Sequence, residues 1–278
     1  VSSFTQVDSG FHIRFNDVVD PTVLNLYSAA DNPMGAADLV LMRSGDAAPI
    51  RGSLVLDADG KGATFVKSAG VLLAGDYTLT LSSRSDGWRS ATGIPLDGDE
   101  DGTSGGDLVR TFTVATSTTA ILGVGEFAAG PGVVLSVPGA TVAGLPITLS
   151  NAVGATSVSF KLRYDPSLLT VTGALPGASL PAGSSISADV SVSGIVSVTM
   201  TFPSALGAGT VELLRLQAAV PTTAIGAYGS KQVLDLYDVS LNSGQLAVRI
   251  DDGLHVNAYV ADANGLANYT TLDQQRPK

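Results

Sequence analysis

Val158-Ser159-Phe160-Lys161-Leu162-Arg163-Tyr164-Asp165-Pro166-Ser167-Leu168-Leu169-Thr170-Val171 is the stretch on which the fold turns. From Ser159 to Tyr164 polar and apolar side chains alternate, the signature of a strand with one face in a core and one in water. Asp165-Pro166 then starts a turn, and Leu168, Leu169 and Val171 lead the chain back into the interior. The same alternation recurs outward from this point. Val196, Val198, Met200 and Phe202 alternate with Ser197, Thr199 and Thr201. Leu246, Val248 and Ile250 form a further run, as do Leu254, Val256, Ala258 and Val260. Ser193-Gly194, Asn242-Ser243-Gly244 and Asp252-Gly253 punctuate them as turns.

Toward the N-terminus the grammar is unchanged. Phe11, Ile13 and Phe15 alternate with His12 and Arg14. Residues 53–56 and 63–66 read as a hairpin whose polar tip is Asp57-Ala58-Asp59-Gly60-Lys61-Gly62. Strands are expected at 75–81 and 109–114. Only Asp20-Pro21-Thr22-Val23-Leu24 reads as helical, a single turn with Asp as cap and Pro at the first position. Many short strands between frequent turns predict an all-β chain, two β-sandwiches in tandem with a short C-terminal tail. The polar run Thr116-Ser117-Thr118-Thr119 marks the end of the first domain (1–114) and opens a connection running to about Gly132 (115–132).

Composition narrows the function. A chain of 278 residues is long enough for two cores. Its formal net charge of −10 argues against nucleic acid or anionic membrane as partner, since both would repel it. There is no Cys, hence no disulfide, thiolate nucleophile or Cys-based zinc site. No run reaches the ~18 apolar residues of a spanning helix. Val1 is not a start Met, and a mature protein or a piece of a longer one is expected.

The motif richest in chemistry is Asp97-Gly98-Asp99-Glu100-Asp101-Gly102-Thr103, closed by Asp107. Carboxylates at every second position followed by a glycine suit a loop wrapped around a hard cation, with Asp97, Asp99, Asp101, Thr103 and Asp107 as ligands. Without an ion, two such charges about 4 Å apart repel by roughly 1 kcal/mol even in water. Calcium is the cofactor this pattern implies. Asp57, Asp59 and Gly60 read as a hairpin turn rather than a metal site. His12 and His255 both fall on expected strands, and no motif pairs either with a nucleophile. Gly123-Val124-Gly125 and Gly130-Pro131-Gly132 lack the strand-to-helix context of a dinucleotide loop and read as flexible connection. Trp88, the one tryptophan, is expected to cover an end of the sandwich; exposed, it would offer a platform for sugar.

Residues 1–114 resemble the bacterial Ig-like domains of surface-layer proteins and large adhesins. The likeness is carried by Gly10 to Asn16 with Val19-Asp20-Pro21, by Leu54 to Gly60, by Leu73 to Leu81 and by Leu96 to Gly106. It implies a spacer or structural module. Residues 133–258 resemble cohesins, through Gly144 to Asn151 and the Phe-x-Leu-x-Tyr-Asp-Pro-x-Leu-Leu phrase from Phe160 to Leu169. That resemblance implies a nine-stranded jelly-roll sandwich that binds a dockerin module. The tail, 259–278, is similar to the first half of a dockerin. Asp262, Asn264 and Asp273 match positions 1, 3 and 12 of a calcium loop, although Leu266 stands where position 5 should offer oxygen. Asn268-Tyr269-Thr270 also satisfies the acceptor pattern for N-glycosylation.

These readings converge on a non-enzymatic extracellular module of a bacterial surface or matrix. It is expected to bind other protein subunits, either a dockerin-like module or a second copy joined head to tail, with calcium stiffening the first domain. Ser197, Thr199 and Thr201 are expected on the contact face. A carbohydrate-binding or adhesive module is the alternative.

Overall fold

The computed structural model describes residues 1–26, 35–136 and 143–260. The chain divides into two units, Val1–Ser117 and Thr118–Lys278. Both are built of strands, and the helical residues among those described form short 3-10 turns only. The all-β expectation is met.

The described residues of the N-terminal unit form seven strands: β1 (Ser3–Val7), β2 (Gly10–Arg14), β3 (Leu39–Arg43), β4 (Gly52–Leu56), β5 (Gly62–Lys67), β6 (Gly75–Leu81) and β7 (Leu108–Val114). They make a four-stranded sheet ordered β1-β2-β5-β4 and a three-stranded sheet ordered β3-β6-β7. The expected hairpin is β4–β5, with Asp57 at its tip bound by Arg14 at 2.7 Å and by His12 at 3.0 Å. Phe11, Ile13, Leu41, Phe65, Tyr77 and Leu79 fill the interior. Phe11 stacks on Phe65 and Tyr77 on Phe112, with centroids 5.3 and 5.1 Å apart. The expected single turn is present at Pro21–Val23, where the Asp20 carboxylate accepts the Thr22 N–H.

Trp88 belongs to this core, at 1% exposure. It stacks on Phe15 and donates its indole N–H to the Asp38 carbonyl at 3.0 Å. The Asp38 side chain is buried and accepts from the Arg84 guanidinium at 2.5 Å, which ties the 82–90 loop to the start of β3. A buried indole offers no platform for sugar.

The described residues of the C-terminal unit form eleven strands. They are β8 (Ala120–Val124), β9 (Phe127–Ala128), β10 (Leu145–Ser150), β11 (Ser157–Arg163), β12 (Thr170–Pro176), β13 (Ser185–Asp189), β14 (Ile195–Thr201), β15 (Thr210–Ala219), β16 (Lys231–Leu241), β17 (Val248–Asp251) and β18 (Gly253–Val256). One sheet is ordered β12-β15-β10-β8-β17 and the other β13-β14-β11-β16-β18-β9. Val158, Phe160, Leu162, Val196, Val198 and Met200 share a core with Leu145, Ile147, Leu149 and Leu214 of the opposite sheet.

The connection expected over 115–132 needs correction. Residues 120–124 form β8, a strand inside the five-stranded sheet that pairs antiparallel with β10 and parallel with β17. Residues 127–128 form β9 at the edge of the other sheet. Gly123 is a strand residue, and a Cβ there would come within 3.1 Å of the Asp251 side chain. The polar run before it and the glycines at 123 and 125 disguised a short strand, Ala120-Ile121-Leu122-Gly123-Val124, that pairing on both edges holds in place.

His255 anchors the β9 edge. It is fully buried, stacks on Phe127 with centroids 4.8 Å apart, and lies 3.2 Å from the Ala129 carbonyl and 3.0 Å from the Gln232 amide nitrogen. Gln232 in turn accepts the Asp165 N–H at 2.6 Å. The consistent arrangement has Nε2–H donating to the carbonyl and Nδ1 accepting from the amide, which suits a neutral ring. Burial pushes the His255 pKa below its usual 6.5, partly opposed by the Ala129 carbonyl. A base with a depressed folded pKa binds fewer protons folded than unfolded. Stability from His255 is therefore fully present above about pH 6.5 and declines as pH falls below that value. Comparing denaturation midpoints at pH 7.5 and 5.5, His255→Gln should show a smaller loss on acidification than the parent. An equal loss in both would contradict this role.

Candidate protein-recognition face and acidic loop

The alternation that buries one side of β11, β14 and β13 presents the other side to solvent. Register sets that outer face out in rows. Ser185, Thr201 and Ser157 stand across from one another on β13, β14 and β11. The next row is Ser187, Thr199, Ser159 and Ser240, the last on β16. Both rows carry hydroxyls only. A third row runs Asp189, Ser197, Lys161, Tyr237, and a fourth pairs Arg163 with Asp235. Ser197, Thr199 and Thr201, singled out in the sequence, thus lie at the heart of a four-stranded surface.

The charged end of this face is ordered by local contacts. Register shifts between Ser159 and Lys161 against β16, and Asp238 at the bulge adopts a positive φ of 51°. Its carboxylate takes the Lys161 ammonium at 2.9 Å. That hydrogen-bonded ion pair raises the Lys161 pKa from its usual value. Burial pushes the Asp235 carboxyl up, with Arg163 pulling it back. The Asp189 carboxylate turns to the Ser191 N–H at 2.9 Å, and this bond holds its pKa down. Short hydroxyl side chains and strand-held charges lose little rotamer freedom on contact, which favours recognition by such a surface.

In the N-terminal unit the structure gathers part of the expected cation site. Asp97, Asp99 and Asp101 each place a carboxylate oxygen within 4.8 Å of the others. The loop is closed by Gly98 N–H bonds to the Gly105 and Gly106 carbonyls at 3.2 and 3.1 Å. Gly102 sits at φ +86°, where a glycine is needed, and a Cβ on Gly106 would come within 2.5 Å of the Asp99 carboxylate. No ion pair among the described residues joins these three acids to a basic side chain; Glu100 alone of the segment pairs with Arg110. Asp97 Oδ1 is buried without a hydrogen-bond partner. Three converging carboxylates and a bare buried oxygen fit a hard, oxygen-seeking ion.

The other two expected ligands, Thr103 and Asp107, make contacts of their own. Asp107 is not among the three converging acids, and one of its carboxylate oxygens accepts the Ser83 N–H at 2.8 Å. Thr103 donates its backbone N–H to Asp101 at 2.7 Å, a turn contact. Sequence spacing cannot reveal that Asp107 is claimed by a residue 24 positions earlier. Asp262, Asn264, Asp273 and Asn268, with the dockerin-like tail beyond Val260, lie outside the described residues. Sequence reading does not single out Arg163 and Tyr237, because only strand register brings them together. No helix among the described residues is long and apolar enough to cross a membrane.

Residues 131–248 match the family model described as the cohesin domain, a non-catalytic module that binds dockerins. This segment of the chain is a cohesin domain, and the N-terminal β region is not assigned to a family. No curated protein matches this chain. Among solved structures, a non-cellulosomal cohesin from the archaeon Archaeoglobus fulgidus is similar at 18% identity, with 51% of this chain and 92% of that one covered and a TM-score of 0.42. The cohesin CaCohA2 of Clostridium acetobutylicum gives 20% identity, coverage of 50% and 90%, and a TM-score of 0.41. The Coh-OlpC-Doc435 complex, a type I cohesin–dockerin complex of Clostridium thermocellum, gives 13% identity, coverage of 52% and 97%, and a TM-score of 0.42.

Proposed function

We propose that this chain is a non-enzymatic extracellular module of a bacterial surface or matrix, and that it binds a dockerin-type protein through the outer face of β13-β14-β11-β16. The observation that carries this reading is the cohesin domain at 131–248 together with the ordered rows of Ser, Thr, Lys, Arg and Tyr on that face. The domain supplies the partner class, since cohesins are modules that bind dockerins. Titration of the purified chain against a panel of dockerin modules tests it: saturable binding to at least one is expected, and a panel without a binder ends the reading.

Calcium at Asp97, Asp99 and Asp101 is the second part of the proposal. These residues would hold the ion and its charge would tie the two arms of the loop together, stiffening the N-terminal unit. In a narrower version the tail, 259–278, of one chain docks on the next, and head-to-tail contacts that do not close give fibres. Electron microscopy in millimolar calcium reads this, and uniform monomers at high concentration would end it. Burial of Trp88 removes the feature that best supported carbohydrate binding.

A further inference from the structure

The hydroxyl rows of the recognition face end at a charged corner built around Tyr237. Lys161 stands directly across from Tyr237, and Arg163 across from Asp235 on the same two strands. The Arg163 guanidinium carbon lies over the Tyr237 ring, 4.5 Å from its centroid, while Lys161 Nζ is 5.7 Å away. The two cations differ in how their charge is used. Lys161 donates a hydrogen bond to Asp238 at 2.9 Å. Arg163 touches Asp235 through one nitrogen at 3.3 Å, and its side chain is 60% exposed. Most of its donor fork therefore faces solvent.

We propose that Arg163, laid over Tyr237, is the receptor for a side-chain carboxylate of the dockerin-type partner, and that this corner sets partner choice. The inference rests on the reading that this sheet face is the recognition surface. A planar guanidinium presents two parallel donors that fit a carboxylate, which a lysine cannot reproduce. Stacking on the ring fixes the plane in advance, so less freedom is lost when the acid arrives. Arg and Tyr are also residue types in which binding energy concentrates, whereas Ser and Thr are under-represented among such positions. Of the acids nearby, Asp238 is engaged by Lys161 and Asp189 by the Ser191 N–H, while Asp235 meets a single Arg163 nitrogen at 3.3 Å and leaves the rest of the fork open to an incoming carboxylate. The chain as a whole is acidic, at −10, so recognition of an acid here has to rest on the directional guanidinium fork rather than on net charge.

Calorimetric titration of the full chain against dockerin modules with acidic and with basic docking surfaces tests the proposal. Binding modules should carry an acidic residue at the contact, and Arg163→Ala should weaken them about tenfold or more, a loss of ~1.4 kcal/mol. Arg163→Lys should lose nearly as much, because the charge stays and the fork goes. Tyr237→Phe keeps the ring and should bind within about threefold, and Thr210→Ala, exposed on β15 of the opposite sheet, should bind as the parent does. Unchanged thermal midpoints establish that each variant is folded. Binding by Arg163→Ala within twofold of the parent, or confined to basic modules, overturns the inference and leaves the recognition reading standing. A panel with no binder overturns both.

Discussion

Phe160→Ala should cost the C-terminal unit about 3–5 kcal/mol, the usual loss when a buried aromatic side chain is removed from a core. Phe160 is 2% exposed at the middle of β11, between Ser159 and Lys161 of the recognition face. Its ring is the underside of the surface whose upper side carries the hydroxyl rows. Removing it leaves a cavity beneath β11 and weakens the hold on β14 and β16, with which β11 pairs along its length. Chemical denaturation followed by far-UV circular dichroism should show the midpoint fall. Trp88 lies in the core of the other unit, so its fluorescence reports that unit by itself. A loss below about 1 kcal/mol would mean that the strand is not packed as described.

The second large effect concerns the acidic loop. If calcium binds at Asp97, Asp99 and Asp101, ion at a hundredfold over Kd should stabilise the N-terminal unit by about 2.7 kcal/mol. Trp88 fluorescence is the natural readout, because loop and core are joined there: Leu96, beside the acids, donates its N–H to the Trp88 carbonyl at 3.0 Å. Asp99→Ala with Asp101→Ala should abolish the calcium-dependent gain and leave the calcium-free midpoint the same or slightly raised, since repulsion between the acids is relieved. An unmodified chain whose midpoint ignores millimolar calcium would remove the ion from the account. Asp107→Ala is a discriminating companion. The Asp107 carboxylate serves Ser83 rather than the cluster, so the variant should lose stability equally with and without calcium.

Strands with strict alternation were legible in the sequence because burial on one face leaves a period of two. β11 and β14 are of this kind, and so is β2 with Phe11 and Ile13 inside. The β4–β5 hairpin was legible from its turn chemistry. β8 was not, because its position in mid-sheet rests on pairing with β10 and with β17, more than a hundred residues later. A parallel pair of that separation leaves no local signature. The acidic loop was half legible: spacing brought out Asp97, Asp99 and Asp101, while the fate of Asp107 depended on a distant backbone N–H. The Arg163–Tyr237 corner was illegible for the same reason, since the bulge at Asp238 decides which β16 side chain faces Lys161. The polar core around His255, Gln232 and Asn257 also left no trace in periodicity, because three buried polar residues interrupt what would be an apolar pattern.

Hydrogen exchange on the chain with a bound dockerin module, compared with the chain alone, tests the central claim most directly. The account predicts added protection on β11, β14 and β16, strongest around Lys161, Ser197 and Tyr237, with the five-stranded sheet unchanged. Protection confined to β10, β15 and β12, with the six-stranded sheet exchanging as before, would contradict it.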